Sequence, residues 1–95
     1  MVTWVIYDIS DDKCRNLVAK ICKRAGLYRV QESVFLGELH SNRLDELHQQ
    51  FVDIVAPTDS IYLSPMSSDN FALIRTVGKG FDAELIAATR KHLFF

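Results

Sequence analysis

Residues 2–7, Val-Thr-Trp-Val-Ile-Tyr, form a nearly continuous apolar run that stops at Asp8. Such a run, rich in β-branched and aromatic side chains, predicts a central strand buried on both faces. Ser10, Asp11 and Asp12 follow it, offering N-cap candidates and negative charge at a helix start. Cys14, Leu17, Val18, Ile21, Cys22 and Ala25 then recur at helical spacing, with basic residues mostly between them, and Gly26 supplies a C-cap. Residues 28–36 predict a second strand with Val30, Val34 and Leu36 on one face. Glu32 interrupts that face and Phe35 points the other way, so an edge position or a bulge is expected there. Ser41 is placed to cap a second helix with an apolar face of Leu44, Leu47, Phe51, Ile54 and Val55, which Pro57 stops. Residues 60–63 predict a third strand and residues 71–77 a fourth, joined by a loop over 64–70.

Taken literally, this order is β-α-β-α-β-β. If Gly37 breaks the region between Arg29 and Leu39 into a strand and a return segment, the order becomes the β-α-β-β-α-β of a ferredoxin-like plait. Either count gives an α+β fold, an antiparallel sheet with two helices on one face. Gly78 and Gly80 then punctuate the chain around Lys79, a short helix is expected over 82–90, and the sequence runs out on His92-Leu93-Phe94-Phe95. An apolar ending of this kind predicts docking, on this chain's own sheet or on a partner's edge strand. The organisation expected is one compact unit over 1–78 and a docking extension over 79–95.

Ninety-five residues leave room for one core, built from an apolar fraction of 48% that includes one Trp, three Tyr and six Phe. A core this small gains from pairing with a second copy. The sequence holds neither a membrane-spanning apolar run nor a secretory leader, and a cytoplasmic location is expected. Cys14 and Cys22, eight positions apart on one helix, are separated by about 12 Å, beyond disulfide reach, and are expected to be buried or half-buried thiols. A net charge of −1 argues against an avid nucleic-acid binder. The distribution changes the picture: Lys13, Arg15, Lys20, Lys23, Arg24 and Arg29 share one window that contains no Asp or Glu. Such a stripe is either a phosphate footprint or the solvated face of a helix, and charge alone favours the solvated face.

Asp8 is the residue that the pattern singles out for chemistry. It closes a buried strand at the turn toward a helix, where a carboxylate serves as metal ligand or general base, or simply makes turn hydrogen bonds. No second carboxylate stands at ligand spacing from it; Asp11 and Asp12 are better placed to cap the helix. Magnesium is often held by one or two carboxylates with water and substrate phosphate, so a twofold dimer that brings two copies of Asp8 together would complete such a site. His40, His48 and His92 are scattered without ligand spacing, and Gly78-Lys79-Gly80 lacks the context of a phosphate loop.

The run Tyr7-Asp8-Ile9-Ser10-Asp11-Asp12-Lys13, then Arg15-Asn16, Val18-Ala19-Lys20 and Gly26-Leu27, continues as Arg29-Val30-Gln31, Ser33-Val34-Phe35 and Gly37-Glu38-Leu39. These segments, from Val5 to about Leu39, resemble CRISPR-associated protein family two, the small nuclease-like partner of the spacer-acquisition integrase. Farther on, only the stretch from Asp59 to Leu63 follows the general pattern. The resemblance implies a ferredoxin-like fold and a homodimer in which the C-terminal segment packs on the partner's sheet. It implies divalent-metal-dependent phosphodiester cleavage, with Mg²⁺ or Mn²⁺ between the Asp8 carboxylates of the two subunits. Tyr7 and Asp8 match the active turn, and Arg15, Arg29 and Phe35 match positions near the substrate. Leu17, where some members carry Arg, and Glu32, where the family is often aromatic, depart from the pattern and bear on cleavage efficiency and substrate choice.

The function expected is that of a metal-dependent endonuclease on single-stranded RNA or double-stranded DNA, acting in spacer acquisition with the integrase subunit. The alternative is a non-catalytic dimeric scaffold that bridges DNA while the integrase performs the chemistry. A toxin-type ribonuclease, or a regulatory plait without nucleic acid, is a third and weaker reading.

Overall fold

The computed structural model describes residues 1–82, and the expected helix over 82–90 and the docking segment over 92–95 lie almost wholly or wholly outside the described residues. The first strand, β1 (Val2–Asp8), is central, as its apolar run predicts. Burial on both faces is corrected: Val5 and Tyr7 are sealed, whereas Ile6 between them is 40% exposed. After β1 comes α1 (Asp12–Arg24), whose N-cap is Asp11; its carboxylate accepts from the Cys14 N–H at 2.8 Å. At the far end Gly26, at φ 87°, takes the left-handed conformation that a helix stop favours. There the Gly26 N–H donates to the Lys23 carbonyl and the Leu27 N–H to that of Cys22, a complete Schellman motif.

The predicted second strand is two strands, β2 (Tyr28–Gln31) and β3 (Val34–Glu38). The break falls at Glu32 and Ser33, not at Gly37. Neither turn residue has a positive φ, so the turn is not of the mirror-image type that suits strand twist. An irregularity between Arg29 and Gln31 absorbs the mismatch, the bulge that Glu32 foreshadowed. Gly37 instead lies inside β3, where a Cβ would stand 2.9 Å from Leu27 Cδ2 and 3.3 Å from Leu27 Cα. The glycine lets the end of α1 close onto the sheet.

The second helix, α2 (Ser41–Ile54), starts one residue earlier than expected, with His40 at the cap position and Ser41 already helical. It leads into β4 (Ser60–Met66), longer than its predicted core of 60–63. The strand order is β2-β3-β1-β4 and all neighbours are antiparallel, giving the interlocked β-α-β units of a ferredoxin-like fold. The fourth strand expected over 71–77 is absent. Ser67 caps a short helix, α3 (Ser68–Ala72), by accepting from the Asn70 N–H, and Phe71 and Ile74 stand at helical spacing.

Two apolar layers result. Val5, Tyr7, Ile9 and Phe35 of the sheet side pack with Val18, Ala19, Cys22, Leu47 and Phe51 of α1 and α2. On the opposite face Val2 and Leu36 gather Trp4, Met66, Phe71 and Phe81. Phe81 stacks on Phe71 and meets Trp4 edge-on, so the beginning of the 79–95 extension lies back on the sheet. Among the described residues no helix is long and apolar enough to cross a membrane.

Candidate functional site

Alternation along β1 sends Tyr7 and Asp8 to opposite faces. Asp8 pairs with Ser60 of β4, but the β1–β3 register ends at Ile6 and Val34. At Asp8 itself the lateral strand partner is β4, and the last tie on the other side is the Tyr7 N–H to the Ser33 carbonyl. Its side chain is exposed and makes no hydrogen bond or ion pair among the described residues. That separates Asp8 from a turn-forming aspartate, whose carboxylate would be engaged with nearby N–H groups. Ile6 and Tyr62, paired one step back on the same face, are 40% and 64% exposed. The carboxylate thus sits at the rim of an apolar surface.

The turn beyond Asp8 is heavily braced. Arg15 Nη1 donates to the Ile9 carbonyl at 3.2 Å, and Nη2 is paired with Asp12. The Ser10 N–H and hydroxyl both donate to Asp59 Oδ1, at 3.3 and 3.1 Å. Arg15, expected near substrate phosphate, is committed in this structure to its own turn.

Tyr7 and Phe35 differ from expectation more strongly. Tyr7 is 4% exposed and Phe35 is fully buried, their rings stacked at 6.4 Å between centroids. The Tyr7 hydroxyl donates to the Glu32 carbonyl at 3.3 Å and its N–H to Ser33 at 3.0 Å. Both residues hold the β2–β3 turn against the core rather than facing a substrate, because the strand pleat points them under the helices. Arg29, paired with Phe35 across the hairpin, places its guanidinium 5.1 Å from the centre of the Phe35 ring. Asp8 is therefore brought together with none of Tyr7, Arg29 and Phe35 within one chain. Lys13, Lys20, Lys23 and Arg24 are exposed on α1, as a solvated helix face requires.

Burial pushes the Cys22 thiol up to about 12, against a small opposing pull from Arg29, and burial followed by Asp11 and Asp59 raises that of Cys14. Both cysteines are free, and neither is an activated nucleophile. Among the described residues no three His, Cys, Asp or Glu side chains converge as a metal site. Of the acidic residues at the β1–α1 turn, Asp11 and Asp12 are engaged and Asp8 has no partner among the described residues, which suits Mg²⁺ only as one ligand among waters and other oxygens. Sequence reasoning named Asp59 only within the stretch 59–63 and missed its link to Ser10, which spans 49 positions.

The family model described as CRISPR associated protein Cas2 matches residues 1–73. The chain is 34% identical over 77 residues to the CRISPR-associated endoribonuclease Cas2 of Korarchaeum cryptofilum, spanning 80% of this chain and 83% of that protein. It is 42% identical over 67 residues to CRISPR-associated endoribonuclease Cas2 1 of Archaeoglobus fulgidus, covering 70% and 71%. Among solved structures, Cas2 of Streptococcus pyogenes superposes with a TM-score of 0.70 at 27% identity, over 82% of this chain and all of that one. A hypothetical protein, TT1823, from Thermus thermophilus superposes with a TM-score of 0.71 at 29% identity, over 83% and 92%.

Proposed function

The chain belongs to the CRISPR-associated Cas2 family, and from that premise we propose that it is a metal-dependent endonuclease whose chemistry runs through Asp8. The observation that carries this reading is the state of that carboxylate: exposed, without a partner among the described residues, and set beside a turn whose other polar groups are engaged. Relatives bearing the name endoribonuclease support phosphodiester cleavage as the reaction. The proposed assembly is a homodimer through the sheet face that carries Ile6 and Tyr62. A second copy would cover that apolar surface and bring its own Asp8 toward this one.

The two carboxylates would hold Mg²⁺ or Mn²⁺. When bound, such a cation neutralises charge at the scissile phosphate and makes water a stronger nucleophile near neutral pH. This chain's own part is to hold Asp8 at a fixed point and to position the phosphodiester. Arg15 fixes the turn, and Arg29, exposed at the hairpin edge, is the cation left for neighbouring phosphates. The substrate is single-stranded RNA or double-stranded DNA, and the setting is spacer acquisition beside the integrase subunit.

A second reading rests on a specific observation, that no ligand cluster converges around Asp8 among the described residues. A non-catalytic dimer that bridges duplex DNA for the integrase needs none. The test is cleavage of a single-stranded RNA and a DNA duplex with Mg²⁺, Mn²⁺ or EDTA, on the wild type and Asp8→Asn. Cation-dependent cutting lost in the variant supports the endonuclease. Binding of duplex and integrase subunit by both proteins, with no cutting by either, supports the scaffold.

A further inference from the structure

We propose that Asp59 is a positioning residue for Asp8, acting through Ser10; the inference rests on the reading of Asp8 as the cleavage residue. The Asp8 side chain makes no hydrogen bond or ion pair among the described residues, so its aim is set largely by the backbone that carries it. On one side that backbone pairs with Ser60. On the β3 side the register ends at Ile6, and the last tie is the Tyr7 N–H to the Ser33 carbonyl, one residue before Asp8. What remains is the turn over 9–11, which would otherwise swing as a hinge between β1 and α1.

Three side chains close that hinge, and each holds a different point. Ile9 is buried, and Arg15 caps its carbonyl; Asp11 ties the start of α1 through the Cys14 N–H. Asp59 holds Ser10 twice on a single carboxylate oxygen, by the N–H and by the hydroxyl. Charged acceptors make the stronger hydrogen bonds, and this one links two segments 49 positions apart. Asp59 is itself fixed, because its N–H donates to the Ala56 carbonyl at 3.0 Å in the turn that precedes β4. It is also the residue directly before Ser60, the strand partner of Asp8. Asp59 therefore secures both neighbours of the carboxylate, the strand beside it and the turn after it. Its role is geometric, so an uncharged amide oxygen at the same point should serve.

The test compares Asp59→Asn, Asp59→Ala and Ser10→Ala with the wild type, by steady-state cleavage and by hydrogen exchange of the Ser10 amide in metal-free protein. Displacement of a reacting group by an ångström costs up to about 100-fold in rate, so Asp59→Ala is expected to lower kcat roughly tenfold or more with KM within about twofold. Its Ser10 amide should exchange about tenfold faster or more. Asp59→Asn should restore most of both, and Ser10→Ala, which keeps the N–H bond, should fall between. Cleavage by Asp59→Ala at the wild-type rate while its Ser10 amide exchanges freely would overturn the proposal and leave the Asp8 reading standing. Equal loss in Asp59→Asn and Asp59→Ala with an unchanged Ser10 amide would also overturn it, since the charge would then be acting directly. A wild type that cuts neither RNA nor DNA defeats the Asp8 reading first, and this role with it. If Asp59→Ala fails to fold, Asp59→Asn against Ser10→Ala decides: the proposal fails unless the first cleaves faster and exchanges its Ser10 amide more slowly than the second.

Discussion

Val5 and Tyr7 turn toward α1 and α2 and are all but lost to solvent, whereas Ile6 and Asp8, their immediate neighbours in β1, look out from the opposite face. The helix-covered face is closed: its rings and aliphatic chains interlock, and the Tyr7 hydroxyl has its carbonyl partner. The other face is finished only over its first half, where Trp4, Met66, Phe71 and Phe81 gather around Val2 and Leu36. Toward Asp8 it leaves Ile6 and Tyr62 in water. Residues one position apart thus have different work. Those on the covered face keep the chain folded, and those on the open face are available to another molecule. Of the pair Tyr7 and Asp8, Tyr7 is buried and Asp8 is open to solvent, which is why the proposed chemistry is given to Asp8.

Substitution tests this division, beginning where the effect is largest. Phe35→Ala empties a fully buried ring position between Tyr7 and Arg29. It should cost about 3–5 kcal/mol in urea unfolding, a large share of a small domain's stability. On the open face, Ile6→Ala and Tyr62→Ala should each change monomer unfolding by about 1 kcal/mol or less, while raising the dissociation constant of the proposed dimer by roughly tenfold or more, a loss of about 1.4 kcal/mol. Sedimentation showing an unchanged dimer for both variants would break the comparison. Tyr7→Phe removes one buried hydrogen bond and should lower stability by about 1 kcal/mol, with cleavage kept within about threefold. A Tyr7→Phe protein that folds normally yet no longer cuts would return Tyr7 to the chemistry.

The smallest expected effect concerns Cys22, also on the covered face. Burial raises its pKa from 9.0 to about 12, so the folded chain keeps a proton that the unfolded chain releases above about pH 9. The stabilising contribution is whole below pH 9 and is lost as pH climbs toward 12. The melting temperature should fall across that window, and Cys22→Ala should shallow the slope. An unchanged slope would mean that other groups carry the alkaline loss.

Much of the covered face was legible in sequence because it is periodic. The spacing of Val18, Ile21, Cys22 and Ala25, and of Leu44, Leu47 and Phe51, gave both helices and the side they bury. The β2–β3 division was not legible at Gly37, since that glycine answers to the approach of Leu27 and not to a turn. The run around Phe71 has the composition of a strand, but Ser67 caps it as a helix. Asp8 stood out because an acidic residue ending an apolar strand is locally conspicuous. The resemblance supplied Tyr7 and Phe35 as companions, and the strand pleat turns both inward. Asp59 entered only as the start of a stretch that follows the family pattern; its contact with Ser10, far away along the chain, was not legible.

The account stands most directly on what a divalent cation does to the stability of wild type and Asp8→Asn. In the proposed dimer the two Asp8 carboxylates would repel, and a cation between them would relieve that cost. At tenfold excess over its Kd, Mn²⁺ should then stabilise the wild type by about 1.4 kcal/mol, raising the melting temperature of a dimer of this size by roughly 3–6 °C. Asp8→Asn should melt as a dimer at or above the metal-free wild-type temperature and show no response to Mn²⁺. An Asp8→Asn protein that unfolds without metal, or that gains as much from Mn²⁺ as the wild type, would contradict the assignment of Asp8 to the open face's chemistry.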